Sequence, residues 1–521
     1  MKLTNDLFNQ TQMWEEKGIS VPTFDVLKMR ENTKQNPTWV HFGAGNIFRG
    51  FIAGIQNTLL EKGLVDTGII AVDTFDEDII DNIYKKYDDL VLLVKLKSNG
   101  DMQKQVLAGI GESVKGSDTV RLKQLFENPT LQIVSFTVTE KGYQATAVDI
   151  DNGPDKPVHA MGVLCSLLLA RFKANQAPIT LISMDNCSNN GEILKTAVKD
   201  IALGWVKKGY INRDFLDYIL TETLVAFPCT MIDKITPRPA KEVEDELTKL
   251  GIEDISPIVT SKNTFIAPFV NAEVAEYLVI EDKFTNSQPP FKEVDGVYVT
   301  DGNTVKQVET MKVTTCLNPL HTALAVYGVI LGYDRIYKEM ENPMLKTLVE
   351  KVGLEEGMKV VVDPLIINPK EFIDEVIYER FTNPFIPDDP ARIATDTSQK
   401  VKIRFGETIK EYIKSDKLDV NDLTYIPLVI AGWLRYLMGV NDKGEHITLS
   451  PDPLMTQLQS KLQSVKLGGS YNGEAKAILS DAQLFGVDLV ECGLASKIEE
   501  LFKELIAGVG AVEATLKKYC A

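Results

Sequence analysis

The stretch Thr38–Gly50, TWVHFGAGNIFRG, decides the predicted fold of this chain. Its first five residues are typical of a buried strand, and they lead directly into two glycines, Gly43 and Gly45. Gly43 permits a tight turn, while Gly45 lets backbone amides approach a pyrophosphate at the start of the next helix, whose dipole favours an anion. The third glycine of the G-x-G-x-x-G pattern falls at position 48, where this chain has Phe48. Two glycines alone also suit an ordinary strand-to-helix turn.

An acidic residue beyond the glycine turn adds to this pattern. The next predicted strand, IIAVD, ends in Asp73, 28 residues after Gly45, somewhat beyond the usual spacing of about 20. A carboxylate here accepts hydrogen bonds from an adenosine ribose diol and repels a 2′-phosphate, so NAD is favoured over NADP. Asp76 is an alternative for this role, and capping of a loop is another use of Asp73. Strand, turn, helix and acid together predict a dinucleotide site formed by Gly43, Gly45, Asn46, Ile47 and Asp73.

Short β-rich runs alternate with amphipathic stretches through the first half of the chain. The predicted strands are Thr38–Phe42, Ile69–Asp73, Val91–Lys95, Gln132–Thr137 and Ile179–Met184. Continuous apolar runs are typical of strands buried on both faces of a parallel sheet, and the intervals are long enough for crossover helices. We therefore predict an α/β protein whose N-terminal domain, residues 1–284, is a Rossmann-like doubly wound sheet.

The pattern changes in the second half. Residues 284–305 gather Pro, Gly, Asn and Asp, as a connecting segment does. Later stretches, such as LHTALAVYGVILGYDRIYKEM and IPLVIAGWLRYLMGV, have apolar residues spaced by three and four, which is a helical pattern. A mostly α-helical C-terminal domain is predicted for residues 285–521.

Composition restricts the class of protein. The 521 residues are 44% hydrophobic and 25% charged, with a net charge of −17. No apolar run approaches the roughly 18 residues of a membrane span, and the negative field repels nucleic acid and anionic membranes. The six cysteines lack CxxC spacing, so we predict reduced thiols in a cytoplasmic protein. The four histidines lack HExxH or HxH spacing, so we predict no metal site. The N-terminal residues have no apolar core of a signal peptide, so we predict no secretory signal. The oligomeric state is left open.

Three stretches place polar residues directly after apolar strands, where ligands collect in such sheets. They present Thr139, Glu140 and Tyr143; then Asp185, Asn186 and Asn190; and then Asp233 and Lys234. Taken singly, each stretch also suits a capped turn.

A fourth stretch, MKVTTCLNPLHTALA, contains Lys312, Asn318 and His321. Asn318 and His321 are three residues apart and share one face of a helix. Pro319 at a first helical position would instead make Asn318 an N-cap. His321 also suits a core position, and Lys312 suits a solvated surface.

Nine stretches, in order, resemble the mannitol dehydrogenase family of polyol-specific long-chain dehydrogenases. They are GAGNIFRG, TVTEKGY, SMDNCSNNG, MIDKITP, VIEDKF, MKVTTCLNPLHTALA, ERFTNP, ARIATDTSQK and AGWLRYLMG, and the resemblance runs from about residue 38 to about residue 455. It implies a Rossmann domain, a helical C-terminal domain, no metal, and hydride exchange between NAD(P) and C2 of a ketose or its acid.

The resemblance also implies a set of site residues. Lys312 matches the catalytic lysine of a K-x4-N-x2-H signature, with Asn318 and His321 following it, and Asn186 matches the asparagine of a DN pair. Substrate-side residues are matched by Asp233, Glu140, Arg392 and Lys400. Five residues separate Lys312 from Asn318 where the family usually has four. The extra residue either forms a bulge that restores the geometry or displaces Lys312.

The chemistry implied by this set is acid–base catalysis of hydride transfer. A lysine amine that is uncharged part of the time takes the hydroxyl proton, and Asn186 and Asn318 donate to the developing oxyanion. The two cations suit a carboxylate, but polyol-acting members of the family carry the same pair, so the pair does not decide the substrate. From the resemblance of the TCLNPLHTALA variant we expect a small-molecule sugar acid as substrate, the pair D-mannonate and D-fructuronate. The alternatives are mannitol and fructose, tagaturonate, or an NAD-binding protein without catalysis.

Overall fold

The computed structural model describes all 521 residues. They form two compact units: unit 1 comprises Met1–Lys97 and Asp101–Lys306, and unit 2 comprises Ser98–Gly100 and Gln307–Ala521. All strands lie in unit 1. They are β1 Ile19–Ser20, β2 Trp39–Phe42, β3 Ile69–Asp73, β4 Val91–Leu96, β5 Met102–Leu107, β6 Ile110–Lys115, β7 Ile133–Phe136, β8 Ile179–Ser183, β9 Val225–Ala226, β10 Thr230–Asp233, β11 Ile258–Val259, β12 Phe265–Ile266, β13 Phe269–Glu273, β14 Tyr277–Glu281 and β15 Val297–Thr300.

Six of these strands form one parallel sheet in the order β6-β3-β2-β7-β8-β9. The chain therefore winds outward in one direction from β2 and then in the other from β7, which is the doubly wound arrangement. Strands β2, β3, β7 and β8 are buried along their whole length. Val40 and Phe42 pack into the core on one face of the sheet, and Trp39 packs into the core on the other. The predicted fold class is confirmed.

Two details of the predicted strands were wrong. Val91–Lys95 does form a strand, β4, but in a separate four-stranded sheet where β4 pairs antiparallel with β5 and parallel with β13. The reason is the short connection to β5, in which Gly100 has a φ of 93°, because a tight turn returns the chain antiparallel where a crossover helix would return it parallel. The predicted connecting segment 284–305 contains β15, which pairs with β14.

The helices alternate with the strands in unit 1 and make up unit 2. They are α1 Thr11–Glu15, α2 Val26–Gln35, α3 Ala53–Glu61, α4 Thr119–Glu127, α5 Ala147–Asn152, α6 Ala160–Ala174, α7 Asn190–Lys207, α8 Arg213–Leu220, α9 Lys241–Lys249, α10 Gly302–Met311, α11 Asn318–Leu331, α12 Ile336–Met340, α13 Pro343–Glu350, α14 Pro369–Glu375, α15 Pro390–Ile393, α16 Thr397–Val401, α17 Glu407–Lys414, α18 Tyr425–Leu437, α19 Met455–Leu462, α20 Lys476–Leu479, α21 Ala482–Phe485, α22 Ala495–Leu505 and α23 Ala511–Cys520.

Helix α18 forms the centre of unit 2, and every residue from Ile426 to Leu437 is buried. Its first amides are satisfied by the Glu356 carboxylate, which accepts from the backbone N–H of Thr424, Tyr425 and Ile426 at 2.5–2.8 Å. Helix α11 is held against α18 by Tyr327, whose hydroxyl donates to the Leu428 carbonyl at 2.7 Å. This contact fixes the helix that carries Asn318 and His321.

One continuous helical stretch, Gly302–Leu331, is long and apolar enough to cross a membrane by length and composition. Of the most apolar 18-residue segment of this stretch, 72% is buried inside the protein, which is typical of a core helix.

Candidate active site

The glycine turn lies where the strand order of the parallel sheet reverses. Gly43 has a φ of 105°, and a Cβ there would lie 2.2 Å from the Thr137 carbonyl oxygen, so only glycine fits between β2 and β7. Gly45 differs, because a Cβ built on it would meet no heavy atom within 4 Å. The space beside Gly45 is therefore left open by the protein, as a ligand cradle requires.

Phe48 replaces the third glycine of the pattern, and the structure accommodates it in a π-helical turn over Phe48–Ile52. The Phe48 ring is buried and stacks on the His41 ring at 4.3 Å between centroids. The close approach that the third glycine normally permits occurs at Gly50, where a Cβ would lie 2.8 Å from Cγ1 of Val270. Of the predicted cofactor residues, Asn46 accepts a hydrogen bond from the buried Arg49 at 3.3 Å.

Asp73 connects the glycine turn to the end of β3. Its Oδ2 accepts from the Ala44 amide at 3.1 Å, and its Oδ1 accepts from the amides of Phe75 and Asp76 at 2.9 and 2.7 Å. Three of roughly four acceptor sites of the carboxylate are thus occupied. Burial raises the pKa of Asp73 although these amides oppose the shift. Asp76, the alternative acid, is 2% exposed and accepts from the Thr260 hydroxyl at 2.6 Å.

Several polar residues after β7 and β8 stabilise the loops at this edge of the sheet. The Asp185 carboxylate accepts from the Val138 and Thr139 amides and from the Tyr143 hydroxyl, at 2.6–3.2 Å. The buried Asn190 amide joins Asp185 to Thr230. For Asp185, Tyr143 and Asn190 the capped-turn interpretation therefore holds.

The exposed candidates at the same edge are Glu140, in the short 3-10 helix Glu140–Gly142 after β7, and Asn186 after β8. The neighbouring strands β7 and β8 are parallel, so both residues follow strands that end at one edge of the sheet. The Thr230 hydroxyl donates to the Ser183 carbonyl at 2.7 Å, which places the start of β10 beside the end of β8. Asp233 ends β10 and is 5% exposed.

Lys234, next in the chain, belongs to a buried ion cluster. Its amine lies 2.9 Å from the Glu276 carboxylate, which also binds Lys95 at 2.9 Å. Burial lowers the pKa of Lys234, and Glu276 opposes this. These contacts give Lys234 a structural role.

In unit 2, the stretch from Lys312 to Asn318 forms a π-helical turn. The turn covers Lys312–Cys316, and the Leu317 amide donates to the Lys312 carbonyl at 3.1 Å. A π-turn holds one residue more than an α-turn, so the fifth residue between Lys312 and Asn318 is accommodated as a bulge between α10 and α11, with Leu317 at the junction. Lys312 is 5% exposed, which excludes the solvated-surface interpretation.

Asn318 is the first residue of α11, and the helix begins without a side-chain cap. The N-cap interpretation of Asn318 was therefore wrong, because Leu317, with φ −129° and ψ −63°, occupies the N-cap position and Asn318 is already helical. The Asn318 side-chain amide makes no hydrogen bond within the protein, whereas its backbone carbonyl accepts from the Thr322 hydroxyl at 3.0 Å.

His321 lies one turn along the same helix face. Its Nε2 is 3.3 Å from Oδ2 of Asp388, but the two groups are not aligned for a hydrogen bond. Burial lowers the pKa of His321, with Asp388 opposing the shift. Asp388 also pairs with the Arg392 guanidinium, whose side chain is 63% exposed.

Lys400 and Arg404 lie beyond Arg392 on α16 and the π-helical segment Lys402–Gly406. The Lys400 amine donates to the Thr395 carbonyl, and burial, followed by the nearby Arg404, lowers its pKa. Arg404 is half-buried and donates to the Thr322 hydroxyl on α11. Burial lowers the pKa of Arg404 to about 10.

Each unit thus assembles part of the predicted set. Unit 1 positions the glycine turn, Asp73, Glu140 and Asn186 along one sheet edge, and unit 2 groups Asn318, His321, Arg392 and Lys400. Sequence reasoning missed Asp388 and Arg404. The available signal was spacing, because Asp388 precedes Arg392 by four residues and Arg404 follows Lys400 by four. No group of three or more His, Cys, Asp or Glu side chains is arranged to hold a metal ion.

Comparisons with known proteins agree with this architecture. The family model for the mannitol dehydrogenase Rossmann domain matches residues 37–291, and the model for the mannitol dehydrogenase C-terminal domain matches residues 304–506. A D-mannonate oxidoreductase of Thermotoga maritima is 51% identical and covers 99% of both chains. A mannitol 2-dehydrogenase of Aspergillus clavatus is 28% identical over 94% of this chain and 93% of its own. The structure of Pseudomonas fluorescens mannitol 2-dehydrogenase in ternary complex with NAD and D-mannitol superposes with a TM-score of 0.70 at 24% identity, covering 100% of this chain and 99% of that one.

Proposed function

Because the chain belongs to the mannitol dehydrogenase family, we propose that it is an NAD-dependent oxidoreductase acting on a secondary alcohol and ketone of a sugar acid, at the carbon that is C2 in the numbering of the keto-uronate. The substrate pair is D-mannonate and D-fructuronate. The observation that carries this proposal is the 51% identity to a D-mannonate oxidoreductase over 99% of both chains. The likeness to a mannitol 2-dehydrogenase is much lower, at 28%.

The glycine turn supports NAD as the cofactor. The open space at Gly45 and the obligate glycine at position 43 form a cradle for a diphosphate, with Asn46 and Ile47 at the start of the helix. Asp73 retains about one free acceptor site for a ribose hydroxyl, and its charge disfavours a 2′-phosphate. When bound, NAD accepts or supplies the hydride at the substrate's C2.

Lys312 is the proposed acid–base group. Its side chain is 5% exposed, and during oxidation its uncharged amine would take the hydroxyl proton of the substrate. In the reverse direction the protonated amine returns that proton to the ketone oxygen. The uncommitted side-chain amide of Asn318, together with Asn186, would donate to the negative charge that develops on this oxygen.

The remaining residues are proposed to orient the substrate. His321, kept neutral by burial, would present Nδ1 to a sugar hydroxyl, since Nε2 is buried beside Asp388, while Asp233 and Glu140 would accept hydrogen bonds from hydroxyl groups. Arg392 and Lys400 form a cationic surface for the end of the substrate away from C2.

The test is a substrate panel assayed with NADH and NADPH in parallel. We expect NADH oxidation with D-fructuronate and little with D-fructose or D-tagaturonate. Fructose reduction without fructuronate reduction would make the protein a polyol dehydrogenase. NADH binding without turnover of any panel member would leave an NAD-binding protein without catalysis.

A further inference from the structure

Arg404 makes fewer hydrogen bonds within the protein than the buried arginines Arg171 and Arg435. Arg171 donates to five backbone carbonyls, and Arg435 donates to three. Arg404 makes one hydrogen bond, from Nη1 to the Thr322 hydroxyl. An arginine has five N–H donors, so most of the Arg404 donors are without a partner.

These donors are open to a ligand. The nitrogens of Arg404 that lack a partner in the protein are not fully buried. By contrast, the unpartnered Nε and Nη2 of Arg49 are fully buried. A molecule in solution can therefore reach the Arg404 guanidinium.

The charge of Arg404 also has no counter-charge on the chain. No carboxylate lies within ion-pair distance of Arg404, whereas Asp388 neutralises the neighbouring Arg392. Lys400, four residues earlier, has the same sign and no carboxylate within ion-pair distance, although Asp396 and Asp452 are near enough to oppose the lowering of its pKa by burial. Two like charges at this spacing destabilise a helix. An anionic ligand that binds between them would relieve the repulsion.

The position of Arg404 ties it to the proposed substrate residues. Its partner Thr322 follows His321 on α11, and the Thr322 hydroxyl donates to the Asn318 carbonyl. Arg404 is also close enough to His321 to lower that residue's pKa. The guanidinium thus lies beside the helix turn that carries Asn318 and His321.

We propose that Arg404 binds the carboxylate of the substrate and makes the protein selective for sugar acids over uncharged ketoses and polyols. This inference rests on the proposed function. The planar guanidinium presents paired donors to a carboxylate, and Lys400 adds a second charge. Arg392, exposed and already paired, contributes less. In the sequence analysis, the family resemblance implied that Arg392 and Lys400 are the cations on the substrate side, and Arg404 was not considered.

The first experiment compares Arg404→Gln with the wild type on D-fructuronate and D-fructose. We expect KM for fructuronate to rise about 10- to 100-fold, as for loss of a charged hydrogen bond, with kcat changed less than about threefold. Fructose kinetics should change little. Arg404→Lys should retain part of the affinity, and Arg392→Gln should raise KM less than Arg404→Gln does. Lys402→Gln, an exposed cation on the same segment, is the matched control.

Equilibrium binding separates this inference from the proposed function. Calorimetric titration of the NAD-bound protein with D-mannonate and with D-mannitol requires no turnover. If the wild type does not reduce fructuronate but binds mannonate in an Arg404-dependent manner, the proposed function fails and the role of Arg404 stands. If Arg404→Gln and the wild type bind mannonate equally, the role of Arg404 is excluded even where fructuronate is a substrate.

A structural role of Arg404 gives a different result. In that case Arg404→Gln would weaken fructuronate and fructose alike and would lower the melting temperature. Should Arg404→Gln fail to fold, Thr322→Val keeps the charge but removes its anchoring hydroxyl. A rise in KM of about threefold or more for fructuronate alone supports the proposal, and equal effects on both substrates contradict it.

Discussion

At the scale of single residues, the buried amine of Lys312 carries the proposed acid–base chemistry. Lys312→Met preserves the length and apolar stem of the side chain but cannot take a proton. We expect kcat to fall by about 10²- to 10⁴-fold, the usual contribution of a general acid–base group, while the Kd for NADH is unchanged. Methylamine should restore part of the activity, increasingly at higher pH as more free base is present. A kcat within threefold of the wild type, with NADH binding intact, would exclude this role.

Asp73 combines two functions that a single substitution can separate. Asp73→Asn keeps a carbonyl oxygen for the Phe75 and Asp76 amides but removes the charge that faces a 2′-phosphate. We expect the ratio of kcat/KM for NADH over NADPH to fall about tenfold or more, with a modest loss of melting temperature. Asp78→Asn, which alters a nearby carboxylate bonded to Ser261, is the control. An unchanged ratio in Asp73→Asn would limit Asp73 to holding the glycine turn.

At the scale of elements, the π-helical turn over Lys312–Cys316 explains how an extra residue is accommodated. Deleting the half-buried Thr314 should convert this turn into an α-turn while α10 and α11 keep their relative register. We expect the deletion variant to fold and to keep kcat within about tenfold. Deleting Ala325 from the regular part of α11 should rotate all later residues by about 100° and abolish activity. If both deletions are equally damaging, the π-turn does not serve as a bulge.

Local patterns predicted most elements, and their errors have a physical cause. The apolar runs identified β2, β3, β7 and β8 because each is buried on both faces, and spacing of three and four identified α11 and α18. The partner of a strand is not encoded in its own apolar pattern. For this reason β4 was recognised as a strand but placed in the wrong sheet, since a five-residue turn to β5 decides its pairing.

At the scale of the whole molecule, the residues that sequence reasoning missed depend on contacts between distant segments. Asp388 approaches His321 across 67 positions, and Arg404 reaches Thr322 across 82. Neither residue differs locally from an ordinary surface charge. The glycine turn was predictable because its residues are contiguous, and Lys312, Asn318 and His321 were identified because they share one motif. The extra residue in the motif left two alternatives, a bulge or a displaced Lys312, and only the backbone on both sides shows that it forms a π-turn.

The pH dependence of stability provides a last prediction, centred on His41 in the middle of the parallel sheet. Burial lowers the pKa of His41 to about 3, and its two ring nitrogens contact the Ser135 and Thr137 hydroxyls at 2.7 and 2.9 Å. In the unfolded chain His41 has a pKa near 6.5, so between about pH 6.5 and pH 3 it is protonated when unfolded and neutral when folded. This stabilising contribution is therefore complete above about pH 6.5 and is lost progressively as the pH falls toward 3. Between pH 8 and pH 5.5, still above the isoelectric point of about 4.9, the loss in the free energy of unfolding is about 1.4 kcal/mol.

Urea unfolding at both pH values tests this prediction. The variant His41→Asn should be less stable overall, but its free energy of unfolding should depend less on pH by that amount. The variant His446→Asn, at an exposed position, should keep the wild-type pH dependence. Equal pH sensitivity in His41→Asn and the wild type would mean that His41 is protonated in the folded protein.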